Sequence, residues 1–93
     1  MDAVEILKNN KKELEEKFGL KTIGVFGSFA RGEQRKRSDV DILVEFRKSI
    51  GIFEFIDVKL HLEKLLGRKV DLVTKKALKP YIKERILKEV IYV

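Results

Sequence analysis

Two apolar runs with the character of β-strands, TIGVF (22–26) and VDILVEF (40–46), bracket the segment that most constrains this chain. A Gly-Ser pair, Gly27 and Ser28, stands at the mouth of the first run. After ten intervening residues come Asp39 and Asp41, flanking one apolar residue where the second run begins. That second run alternates strictly. Val40, Ile42, Val44 and Phe46 fall on one face, and Asp39, Asp41, Leu43 and Glu45 on the other. A strand dry on one side, with carboxylates at one end of the other, suits a sheet floor beneath an open site. Carboxylates at i and i+2 of a strand project from one face, about 6.5–7 Å apart. Side chains at that spacing can share two Mg²⁺ ions about 3.5–4 Å apart, the separation used for in-line displacement at phosphorus. The Gly-Ser pair supplies what the other end of a nucleotide needs. Glycine permits close backbone approach, and the hydroxyl and N–H groups of a helix start bind phosphate.

The remaining pattern supplies the frame. Asp2 with Glu5 reads as a capping box opening a helix that Gly19 stops. Ser28 is expected as the N-cap of a short helix from Phe29 to about Arg35, followed by a basic loop through Arg37. Residues 52–66 form an amphipathic helix closed by Gly67, with Phe53, Phe55 and Ile56 as core candidates and His61 as a surface or core residue. Residues 69–73 make a third strand. A last helix covers about 78–91, with Pro80 in its first turn. Asp71 lies in the middle of that third strand, where a buried carboxylate is costly unless paired or metal-bound. On a strand adjacent to Asp39 and Asp41 it would complete a three-carboxylate cluster, for which the hard cations Mg²⁺ or Mn²⁺ are the suitable partners. The order αβαβαβα predicts an α/β (α+β) fold, a small β-sheet with helices packed on it. The pattern alone allows a parallel three-stranded sheet equally well.

At 93 residues the chain is expected to be a single domain, 1–93. It has no cysteine, no apolar run near the ~20 residues of a membrane span and no leader-like N-terminus, so a cytoplasmic location without membrane attachment is expected. The +6 net charge falls wholly in residues 47–93, because acids and bases balance before them. That basic half could attract nucleic acid, a nucleotide or an acidic protein, or simply be solvated helix charge.

Gly-Ser, ten residues, Asp-x-Asp resembles the signature of the DNA polymerase β-like nucleotidyltransferase superfamily. Within it the chain resembles the minimal nucleotidyltransferase (MNT) domain found paired with HEPN-domain proteins, and the stretch GRKVDLVTKKALKPYIKERILKEVIYV is similar to that family's usual ending. The resemblance implies a mixed sheet whose first two strands run antiparallel. It implies catalytic and metal-binding roles for Asp39, Asp41 and Asp71, with Asp71 as the third carboxylate. Gly27, Ser28 and Arg31 would then bind nucleotide. The implied reaction is transfer of AMP from ATP, with Mg²⁺ or Mn²⁺, to a hydroxyl on a HEPN-domain toxin, tyrosine by resemblance, so that the chain serves as antitoxin in a hetero-oligomer. Nucleic acid is not expected as the main partner, for no recognition helix or RNA-binding signature is visible. The alternative is a non-catalytic nucleotide-binding subunit that neutralises or scaffolds a partner by contact.

Overall fold

The computed structural model describes residues 2–93. Helix α1 (Ala3–Phe18) starts where the Asp2 carboxylate accepts from the Glu5 N–H at 3.2 Å and stops at Gly19, whose φ of 65° is left-handed. Strand β1 (Leu20–Phe26) follows, then a single helical turn, α2 (Ser28–Arg31). Strand β2 (Val40–Phe46), helix α3 (Ile52–Leu66) and strand β3 (Val70–Thr74) form a βαβ unit. A 3₁₀ turn at Lys75–Ala77 leads to helix α4 (Pro80–Glu89), with proline at its start, and a two-residue strand β4 (Ile91–Tyr92).

The sheet order is β3-β2-β1-β4. β1 is antiparallel to β2 and to β4, while β2 and β3 are parallel, so the sheet is mixed. Alternation along the strands sorts the two faces. Ile23 and Val25 of β1, Val40, Ile42 and Val44 of β2, and Val70 and Leu72 of β3 are buried in the main core with Leu7 and Leu14 of α1 and Val58, Leu62 and Leu66 of α3. Each such buried aliphatic side chain contributes roughly 1.5–3 kcal/mol. The opposite face carries a smaller cluster, Phe26, Leu43 and Ile86, with Val90 packed against it.

Several expectations are corrected. β2 is not dry on one side only, because α4 covers Leu43 from the second face. The helix after Gly27 is one turn long, since Gly32 takes a left-handed φ of 70° and ends it. Gly27 rather than Ser28 is its N-cap, with no side-chain cap bond. The last helix stops at Glu89. The β-branched run that follows favours strand over helix and pairs with the free edge of β1. Phe53 and Ile56 are exposed, at 81% and 40%, and only Phe55 packs against the core. His61, by contrast, is as expected for a surface or core residue: half-buried and packed edge-to-face on Phe18 at 5.1 Å.

Candidate active site

The site lies where β1 ends and β2 and β3 begin, on the α4 face of the sheet. Strand register builds it. Asp41 is the partner of Phe26 on one side and of Asp71 on the other. Their flanking residues Val40, Ile42, Val70 and Leu72 all point into the main core, which turns both aspartates to the opposite face. Neighbouring strands are about 4.8 Å apart, so the two carboxylates stand side by side.

Gly27 makes this packing possible. Its backbone, at φ 72° and ψ −151°, lies in a region reserved for glycine, and an added Cβ would overlap the Asp41 Oδ2. The aspartate therefore rests directly on the glycine backbone. Asp41 is half-buried, and its pKa is pushed from 3.8 up to about 6. Burial is the largest cause, followed by the like charges of Asp71 and Asp39 and a hydrogen bond with Asp71. Arg31 offsets part of the rise.

Asp39 is exposed in the loop just before β2. Arg68 fastens that loop, donating from Nη1 to the Lys36 carbonyl at 3.0 Å and the Ser38 carbonyl at 3.2 Å, while its guanidinium lies over the Phe29 ring. Asp71 is also exposed, on an edge strand, so the expected cost of burying it does not arise. Arg31 forms ion pairs with Glu33, through Nε at 3.2 Å, and with Glu89, through Nη1 at 3.0 Å. The second Glu89 oxygen accepts from the Gly27 N–H at 3.0 Å.

The structure thus brings Gly27, Arg31, Asp41 and Asp71 to one end of the sheet, with Ser28 on the adjoining turn and Asp39 on its rim. Sequence reasoning missed Arg68 and Glu89. Both act through contacts with distant segments, and neither belongs to a local motif. A divalent cation fits the chemistry of this donor set, because the charges of Asp39 and Asp71 raise the proton affinity of a third hard carboxylate, Asp41. Among the described residues no three acidic side chains converge tightly enough to hold an ion alone. That suits Mg²⁺, which typically takes one or two carboxylates together with substrate phosphates.

Residues 7–93 match the family model for the nucleotidyltransferase domain. The chain is 52% identical over 88 residues to the protein adenylyltransferase MntA of Thermococcus cleftensis, covering 95% of this chain and 89% of that one. It superposes on a solved structure assigned as a minimal nucleotidyltransferase with a TM-score of 0.79 and 38% identity, covering 98% and 95% of the two chains. The same fold, at a TM-score of 0.69 and 19% identity over 95% of this chain and 69% of the other, occurs in the complex of tri-AMPylated Shewanella oneidensis HEPN toxin with MNT antitoxin. The chain belongs to the nucleotidyltransferase domain family, in its minimal form, and is a nucleotidyltransferase.

Proposed function

We propose that this chain transfers AMP from ATP to a hydroxyl of a HEPN-domain toxin, with tyrosine as the expected acceptor, and so acts as its antitoxin. The observation that carries the reading is the register that sets Asp41 beside Asp71 and against the Gly27 turn. The names of the relatives support the nucleotide and the partner, since one is a protein adenylyltransferase and another is seen with an AMPylated HEPN toxin.

In this scheme Gly27, Ser28 and Arg31 bind the triphosphate, and Asp39, Asp41 and Asp71 hold the divalent cation. Bound there, Mg²⁺ would polarise the α-phosphate and stabilise the departing charge. Asp71, on the open strand edge, takes the proton of the acceptor hydroxyl. The hydroxyl oxygen forms a bond to the α-phosphorus as the α–β phosphoanhydride bond breaks, and pyrophosphate leaves. Arg31 faces the charge that develops on it. In this scheme the partner presents its own hydroxyl to the open end of the sheet. Exposed apolar side chains on α3 (Ile52, Phe53, Leu60) and at the end of the chain (Tyr81, Tyr92) are compatible with docking. Coexpression with the HEPN-type partner followed by intact-mass and peptide mass spectrometry tests the reading. AMP, one or several units, is expected on a partner tyrosine. A partner that is neutralised but carries no AMP would favour inhibition by contact.

A further inference from the structure

Glu89 has no part in the scheme above, yet it touches two of the groups assigned to the triphosphate. Its carboxylate spans the turn after β1, with Oε1 on the Gly27 N–H and Oε2 on Arg31 Nη1, each at 3.0 Å. The residue comes from an anchored junction. On one side Ile86 is buried with Phe26 and Leu43, and the Val90 N–H closes α4 on the Ile86 carbonyl at 2.9 Å. On the other, Ile91 and Tyr92 pair with Val25 and Gly24 of β1. Glu89 is thus fixed relative to the strand end that carries Gly27.

Arg31 needs such a hold. It sits on a four-residue helical turn with half of its side chain exposed, and a long free arginine there would give up much rotamer entropy on binding. Glu89 and Glu33 take one side of the guanidinium each, through Nη1 and Nε. Tethered in this way, the Arg31 charge still lowers the proton affinity of the Asp41 carboxylate. A carboxylate is suited to this place because it can accept from both donors at once, whereas an amide would turn its NH₂ toward one of them.

We propose that Glu89 is a positioning residue for nucleotide binding: held by the Gly27 N–H through one oxygen, it aims Arg31 at the triphosphate through the other, from the far end of the chain. The proposal rests on the nucleotidyl-transfer reading. The opposite role, a carboxylate seated in the phosphate position that nucleotide must displace, is an outcome of the same test.

The experiment uses the full chain with its HEPN-type partner and Mg·ATP. KM and kcat for ATP, and the calorimetric affinity for Mg·ATP, are measured for the wild type, Glu89→Gln, Glu89→Ala, Arg31→Ala and the Arg31→Ala/Glu89→Ala pair. Glu89→Gln keeps the side-chain volume and decides the matter should the alanine variant fold poorly. The expected result is a KM and a Kd for ATP raised about tenfold in the glutamine variant, the effect of one lost charge-assisted hydrogen bond, with kcat within about twofold. The double variant should bind no worse than Arg31→Ala alone, because Glu89 acts through Arg31. Tighter ATP binding in either Glu89 variant would overturn the proposal in favour of the displaced-anion role. Losses that multiply in the double variant, or a fall in kcat at unchanged KM, would also overturn it, as would a wild-type chain that binds no Mg·ATP. A wild type that binds Mg·ATP but modifies no partner would remove the transfer reading, and the calorimetric affinities would still decide the role of Glu89.

Discussion

At Gly27 a single missing Cβ lets the Asp41 carboxylate lie on the backbone. Replacing it with alanine meets two penalties, a glycine-only backbone conformation and overlap with Asp41. We expect Gly27→Ala to lose about 1–3 kcal/mol of stability. A melting temperature lower by roughly 5–15 °C would report it in a domain of this size, together with loss of AMP transfer. An unchanged melting curve and rate would show that Asp41 does not pack there. Asp41 itself makes a pH prediction. Its folded-state pKa of about 6 lies above the ordinary 3.8, so the folded chain holds the proton more tightly than the unfolded one. The resulting stabilisation is fully present below about 3.8 and is lost as pH rises through about 6. In urea titrations with EDTA, the stability of the wild type relative to Asp41→Asn should fall between pH 4 and pH 7. Solvent screening of this half-exposed group reduces the change to the order of 1 kcal/mol. A constant difference across that range would remove the shift and the crowding that causes it. Gly27, Ser28, Asp39 and Asp41 were all legible from one local spacing. Glu89 was not, because its partner Gly27 is 62 positions away and only the packing of α4 brings them together.

Among the elements, legibility followed length and punctuation. α1 and α3 were read with their glycine stops, Gly19 and Gly67, because long periodic runs with left-handed caps carry their own boundaries. α2 and β4 were misread. A four-residue turn holds too little periodicity to show its end, and VIYV becomes a strand only because β1 offers it an unpaired edge. The exposure of Phe53 was also hidden, for an aromatic beside a helix start looks apolar whichever way it faces. β4 reaches that edge through Gly24, where an added Cβ would come within 2.7 Å of Val90 Cγ2 and 3.2 Å of the Ile91 carbonyl oxygen. Valine at position 24 is favoured in strands by propensity, yet the steric term should dominate, at about 1–3 kcal/mol. Gly24→Val is therefore expected to destabilise the fold and to speed hydrogen exchange at the Val93 amide, which now donates to the Ile23 carbonyl at 3.0 Å. Full protection of that amide in the variant would mean that β4 docks without needing the glycine.

Over the whole molecule, one sheet serves two purposes. Its α1–α3 face carries the main core, and its α4 face carries the smaller cluster at one end of which the carboxylates emerge. The division explains why the aspartates can be replaced without touching the core. Among the described residues no helix is long and apolar enough to cross a membrane. The basic excess of residues 47–93 is divided: α4 ends at Glu89 beside the site, whereas Lys75 in the turn before it pairs with Glu45 toward the other end of β2. We propose that the Asp39–Asp41–Asp71 end of the sheet transfers AMP to the partner. The most direct measurement is the amount of label passed from α-labelled ATP to the purified HEPN-type partner, with Mg²⁺, by the wild type and by the Asp39→Asn/Asp41→Asn double variant. The wild type should label the partner. The double variant should fold and melt within a few degrees of it, yet transfer at least about a hundredfold more slowly, the scale of losing a main source of electrostatic stabilisation in phosphoryl chemistry. Transfer by the folded double variant at near wild-type rate would contradict the account.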